Sequence, residues 1–404
     1  MAHCATTSKK NTGQRLNVNE FINVNGFINK EVQIVETEMI TNDHEAAFTE
    51  ALQANPDAAH TRLVYADYLE ERGDPRGELL RLTDTLTQSV EVPDRAASEE
   101  RLRTLLAEGV QPVGPFHTNS IGMRLAYIPA GTFTMGSSSD EPDRFNDERQ
   151  HKVTLTKGFY MGVHTVTQKQ WQAVMGSNPS RFKGSNLPVE TVSRGDCQEF
   201  CKRLTRFEAC AQCKDDPQFA ASGMCKIKIP AYRLPTEAEW EFACRAGTTT
   251  AYHFGNTITK KQANFNGRRT TPVGSYPANA FGLHDMHGNV WQWCEDWYGE
   301  YAEGEQRQDP TAPFGWAGVA AGTAMASTAG RRAAAGAIRA SAPTTSVSGS
   351  SSVDPRGPSD GRYRVLRGGS WLNESRFLRS ACCIDRVASG LLNNVGLRVV
   401  CCLE

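Results

Sequence analysis

No apolar run in the chain approaches the ~18 residues that a membrane-spanning helix needs. The N-terminus, MAHCATTSKKNTGQRLN, lacks the apolar centre of a secretory leader. Net charge is also missing, because 44 Lys and Arg against 45 Asp and Glu leave −1 at pH 7. That balance provides no broad basic field for nucleic acid, although a local patch stays compatible with it. The expectation is a cytoplasmic protein with neither a membrane span nor a nucleic-acid partner. Cysteine is not scarce. Twelve residues are many for a reducing compartment, so the thiols should be reduced and serve as buried small apolar groups or as thiolate ligands.

The length allows two or three domains. Residues 1–40 carry weak patterning and predict a flexible or strand-like arm. From Asp43 the stretch HEAAFTEALQANP places Phe48 and Leu52 on one helical stripe, ended by Pro56. A second helical run carries Leu63, Tyr65, Ala66 and Leu69 and stops at Gly73-Asp74-Pro75. A third spans Ala96 to Leu106. The module, residues 41–111, is closed by Pro112-Val113-Gly114-Pro115. Strand alternation follows in Thr132-Phe133-Thr134-Met135 and Val153-Thr154-Leu155-Thr156. Three helices have legible starts: Thr167 with Gln170, Ser193 with Asp196, and Thr236 with Glu239. Near the C-terminus Val365-Leu366-Arg367 predicts a strand running into Gly368-Gly369, and Gly396–Val400 predicts a closing strand. Past Ser380 no period of 2 or 3.6 survives until that closing strand. A ruled frame around an unruled segment is a common way to present a binding loop.

The words ANPDAAHTRLVYADYLEERGDPRGELLRL resemble a helical repeat-companion module of large bacterial paralogous families. The words MRLAYIPAGTFTMGS, YRLPTEAEWEFACRAGTTT, FGLHDMHGNVWQWCEDWY, RVLRGGSW and GLRVV resemble the formylglycine-generating-enzyme (sulfatase-modifying factor) family. That resemblance covers 115–404 and implies an α+β fold, a variant of the C-type lectin fold. Pattern alone reaches only α+β with antiparallel strands. Two insertions interrupt the match. Residues 208–226 carry Cys210, Cys213 and Cys225, either incidental thiols or part of a zinc site that lacks an evident fourth ligand. Residues 314–355 are rich in Ala, Gly and Ser and predict a mobile linker without packed elements.

Enzymes of the resembled family oxidise a substrate cysteine to formylglycine with copper held by two thiolates. The first thiolate position follows the aromatic of the GGS-[YW] word by two residues, and the second comes five later. Here these positions hold Asn373 and Leu378. An amide and an isobutyl group do not bind Cu(I), so no catalytic residue is assigned. A related branch holds iron through H-x3-H-x-E, a motif absent from the nine histidines here. The resemblance also implies structural calcium, with Asn264, Phe265, Gly288, Asn289 and Val290 as candidates. Gln292 stands where the family has an acid, which weakens such a site. Trp291, Trp293 and Trp297 read as core.

A second group with this fold, the variable proteins of diversity-generating retroelements, presents residues rewritten at template adenines. Its framework resembles Arg367–Trp371, Arg379-Ser380-Ala381 and Gly396–Val400, which defines a display segment over 367–400. The varied positions would be Leu372, Asn373, Phe377, Cys382, Ile384, Asp385, Arg386, Val387, Gly390, Leu392, Asn393 and Asn394. Randomising the first two bases of an Asn codon excludes Lys, Gln, Glu, Met and Trp. From Leu372 to Val400 none of these occurs except Glu374. Leu372, Phe377, Ile384 and Leu392 then suit an exposed interaction patch, with Phe377 and Arg386 as anchors by residue type. The leading expectation is a non-catalytic protein that binds a protein or other macromolecule there. One alternative is a formylglycine-generating oxidase that recruits Cys382, Cys383 or Cys401–Cys402. Another is a structural partner that docks through the helical module.

Overall fold

The computed structural model describes residues 44–213, 231–299, 351–356, 358 and 360–402. The expected arm over 1–40, residues 214–230 with Cys225, and 300–350 lie outside the described residues.

The chain opens with helix α1 over 44–54, α2 (Ala59–Glu70), α3 (Pro75–Gln88) and α4 (Arg95–Ala107). The sequence predicts a stop at Gly73-Asp74-Pro75, and the same triplet also begins the next helix. Asp74 caps α3 by accepting from the Arg76 N–H, and Pro75 occupies the first turn, where a missing N–H costs nothing. Leu79, Leu86, Leu102 and Leu105 of α3 and α4 enter one buried cluster with Ile128, Phe133, Phe242 and Phe281. Polar contacts seal the junction: Arg95 donates to the Gly247 carbonyl at 2.8 Å, and buried Glu99 accepts from the Thr249 N–H and hydroxyl at 3.1 and 2.9 Å. The apolar face that a separate partner of the helices would need is therefore largely covered by the rest of the chain.

Three sheets follow. The first has the order β1 (Phe116–Thr118), β2 (Arg124–Ile128), β5 (Phe159–Gly162), β12 (Val400–Cys402) and β6 (Ala231–Arg233). The second is ordered β3 (Gly131–Met135), β4 (His151–Leu155), β8 (Ser351–Val353). The third is ordered β10 (Cys383–Arg386), β9 (Arg364–Arg367), β7 (Trp291–Trp297), β11 (Val395–Gly396). Alternation in β3 places Phe133 and Met135 inside, as the sequence predicts. The helices with legible starts form as read. Capping boxes open α5 (Gln168–Met175) and α7 (Glu237–Arg245). Ser193 and Asp196 exchange bonds at 2.9 and 3.1 Å at the start of α6 (Arg194–Cys213), whose Cys197, Phe200, Cys201 and Leu204 are buried.

Several expectations need correction. The linker expected over 314–355 contains β8, which pairs parallel with β4. The closing strand is split, because β11 joins Trp291 in one sheet while β12 joins Met161 in another. Arg398 lies in the break, and its guanidinium donates to the Gly162 and Val163 carbonyls at 2.6 and 2.9 Å, the second of which also accepts from the His284 N–H at 3.0 Å. The segment without sequence rules is ordered as well, with a 3-10 turn over Ser375–Leu378 and the edge strand β10.

Candidate functional site

The display segment hangs on buried arginines. Arg367 at the end of β9 donates to Glu241 at 2.8 Å and pairs with Glu237 at 2.8 Å. Burial pushes the Glu241 carboxyl up, and the guanidiniums of Arg245 and Arg367 more than offset it, so it stays below its ordinary range. Arg379 grips Glu148 with both terminal nitrogens at 2.6 Å and reaches Glu141 at 2.7 Å. Between these anchors Gly368 and Gly369 adopt φ of +96° and +72°. A Cβ on Gly369 would lie 2.8 Å from the Phe377 carbonyl oxygen, so the turn admits only glycine. The framework words contain each of these arginines, but neither periodicity nor composition singles out their burial. An arginine flanked by apolar residues, as in Val-Leu-Arg and Leu-Arg-Val, is the available signal.

Asn373 and Leu378, at the two thiolate positions, are both committed to packing. The Asn373 Oδ1 accepts from the Trp291 indole N–H at 2.9 Å and from the Ser370 hydroxyl at 2.5 Å. Leu378 is fully buried beside Ala251, Tyr252 and Phe265. The structure therefore offers no donor pair suited to copper here.

The proposed varied positions divide. Leu372, Val387 and Leu392 are exposed, and Leu391, not singled out by the sequence reading, is 58% exposed. Its apolar neighbour Leu392 was the signal. Asp385 and Arg386 are half-buried on edge strand β10, with Arg386 donating to the Asp385 carbonyl at 2.9 Å. Gly390 closes a turn onto Val387 at 2.9 Å. Asn393 and Asn394 present backbone carbonyls to the Trp371 indole N–H at 3.2 Å and the Trp291 N–H at 2.8 Å. Four positions depart from the expected display. Cys382 is buried in the core around Trp293 and Leu397. Asn373 turns its amide inward. Phe377 and Ile384 are half-buried and pack on that core, with Phe377 5.7 Å from the Phe145 ring. Their apolar side chains follow the larger burial available inside, so Phe377 is a framework contact and not a free anchor.

The thiols proposed for recruitment are poorly suited to metal. Burial raises the Cys382 and Cys383 thiols well above the ordinary value and pushes Cys401 up to about 12. Cys210 and Cys213 end α6, where side chains are not described. Among the described residues no cluster of three His, Cys, Asp or Glu is arranged for a metal. The sequence reading missed a buried thiol–imidazole pair, Cys244 Sγ 3.8 Å from His287 Nε2. Desolvation pushes Cys244 up to about 12 and His287 down to about 4, so both stay neutral. The His287 Nδ1–H donates to the Leu378 carbonyl at 2.6 Å, while Nε2 accepts from the His253 N–H at 3.3 Å.

The calcium candidates come together without forming a calcium-like donor set. Gly288, with φ +87°, bridges to Asn264, whose carbonyl accepts from the Asn289 N–H at 2.9 Å. The Asn289 Oδ1 accepts from the Thr271 N–H at 3.1 Å and from the Asn264 amide at 3.3 Å. The Lys260 ammonium donates to the Phe265 carbonyl, placing a positive charge on an expected ligand. Val290 is buried core. Gln292 accepts from Trp240 Nε1 and Arg398 Nε at 2.9 Å each, which a neutral amide does without carrying the charge calcium favours. The residues present do not fit the ion.

Among the described residues no helix is long and apolar enough to cross a membrane. Residues 123–403 match the sulfatase-modifying factor enzyme 1-like domain. A serine/threonine-protein kinase pkn1 of Chlamydia caviae is 31% identical over 261 residues, 64% of this chain and 34% of that protein. The chain thus spans about a third of the length of that relative. The formylglycine-generating enzyme of Mus musculus is 24% identical over 47% of this chain and 62% of its own. Among solved structures, Treponema denticola variable protein 1 superposes with a TM-score of 0.52 at 25% identity, covering 72% of this chain and 99% of that one. The α+β, C-type-lectin-like architecture is common ground with these proteins. The chain belongs to the sulfatase-modifying factor enzyme 1-like family.

Proposed function

We propose that the protein binds a macromolecular ligand, without catalysis of its own, through a diversified surface at the C-terminal end of a lectin-like scaffold. The observation that carries this reading is the fate of the thiolate positions. Asn373 and Leu378 are committed to packing, while the same segment exposes four large apolar side chains, Leu372, Val387, Leu391 and Leu392, alongside the charged pair Glu374 and Arg376. An apolar patch held on a rigid frame suits recognition. Its likeness to a structure named as a variable protein supports the same reading. Sequencing the locus tests the diversification. A near-identical template repeat, mismatched only at adenines and accompanied by a reverse transcriptase, is the expected finding. Flanking DNA with neither would overturn that part of the proposal.

A further inference from the structure

The exposed leucines sit beside a separate feature, an unbalanced positive rim. Acidic residues are absent between Glu148 and Glu190, and again between Glu241 and Asp285, in a chain whose charges otherwise balance. Both acid-free stretches send a loop to the display segment. The Gly267 and Asn266 N–H groups donate to the carbonyls of Trp371 and Asn373 at 2.6 and 2.8 Å. Phe182 meets the Trp371 ring edge-on at 5.5 Å, and the guanidiniums of Arg181 and Arg269 flank Phe182 at 5.7 and 5.5 Å. Arg181, Lys183, Arg268 and Arg269 are all exposed. No carboxylate among the described residues pairs with them. Nearby Glu190 is buried and accepts from the Phe182 N–H at 2.7 Å, and Glu374 pairs with Arg376 at 3.3 Å.

Resting on the binding function proposed above, we infer that the partner is a protein surface or peptide with an apolar centre and an acidic border, its carboxylates meeting Arg181, Arg268 and Arg269 while its apolar residues cover Leu372, Leu391 and Leu392. The charges lie on loops outside the varied segment and the leucines lie within it. The loops thus supply a fixed attraction for acidic partners, and the segment decides which of them is held. Rim charges act chiefly on association rate and salt dependence, whereas the covered centre sets dissociation. Exposed leucines offer nothing to phosphates, and Trp371 is too buried to stack on a base, so an acidic protein suits the patch better than nucleic acid.

The test is a random-peptide display library panned on the full chain, followed by binding kinetics of the selected peptides. Selected peptides should be enriched in Asp and Glu around apolar residues. Association should slow by about tenfold or more from low to high salt as the screening length shrinks from roughly 30 Å to 3 Å. The triple variant Arg181→Glu, Arg268→Glu, Arg269→Glu should slow association at low salt and reverse that salt dependence, with little change in dissociation. Leu372→Ser, Leu391→Ser, Leu392→Ser should speed dissociation and keep the salt slope. Melting curves of both variants should match the parent, as suits surface changes. Binders without acidic excess, or charge reversal without kinetic effect, overturn the acidic-partner inference alone. So does tighter binding of a single-stranded oligonucleotide or of phosphatidylserine vesicles at the same salt. Recovery of no binder, or binding indifferent to the leucine variant, contradicts the display function itself.

Discussion

Asn373 holds Trp291 in place: its side-chain oxygen accepts the indole N–H at 2.9 Å, at a position where the resembled oxidases carry a thiolate. The same oxygen accepts the Ser370 hydroxyl, so the amide ties the GGS turn to the central strand. Replacing it by alanine strands a buried indole donor and should destabilise the fold by about 1–3 kcal/mol. Chemical denaturation of Asn373→Ala measures this. An unchanged midpoint would mean the amide is a passive surface residue.

Arg379 and Glu148 form the second anchor, and both side chains are buried. Glu148→Gln removes one charge from a desolvated pair and leaves the other poorly compensated, a loss on the order of 3 kcal/mol. Glu141 also contacts Arg379 and tempers the effect. The melting temperature should fall, and hydrogen exchange should rise in both 137–148 and 375–383, since the pair joins them.

Acid should destabilise the protein over a defined window. Desolvation holds His287 down to about 4, His164 down to about 3, and buried His253 well below its ordinary value. The unfolded chain protonates these rings below about pH 6.5, where the folded one does not. The unfolded state then binds more protons, and stability falls as pH drops from about 6.5 toward 4. At full effect His287 alone accounts for roughly 3 kcal/mol. Denaturation midpoints across that range should fall for the parent and fall less steeply for His287→Gln.

Calcium should leave stability unchanged. Asn264 and Asn289 bond each other, and Lys260 already faces the Phe265 carbonyl. Melting curves in excess calcium and in chelator should superimpose, whereas a rise of several degrees with calcium would contradict the donor-set argument. Lys260→Met should lower the melting temperature in both conditions.

Much of the fold was legible because local rules and burial agree there. Thr167 with Gln170 and Thr236 with Glu239 cap helices as their spacing dictates, and Phe133 and Met135 face inward as their alternation requires. What escaped depends on partners distant in sequence. Arg398, in the break of the closing strand, bonds carbonyls at Gly162 and Val163, far earlier in the chain. β8 forms only because β4 offers an edge. At the site, Leu372 and Leu392 are exposed as expected, whereas Ile384, expected beside them, is half-buried on the core. Sequence misplaced Cys382 and Phe377, whose burial is set by the Trp293 core and by Phe145. A segment without period leaves inside and outside undetermined until its neighbours are known.

The proposed binding role requires that the pocket around Asn373 and Leu378 neither holds copper nor oxidises a thiol. Incubating the purified protein with Cu(I), oxygen and a cysteine-containing sulfatase peptide tests it most directly, with copper binding and peptide mass measured together. The account predicts no stoichiometric, tightly held copper and an unaltered peptide. Tight copper binding that is lost on Asn373 or Cys382 substitution, or formation of the peptide aldehyde, would contradict it.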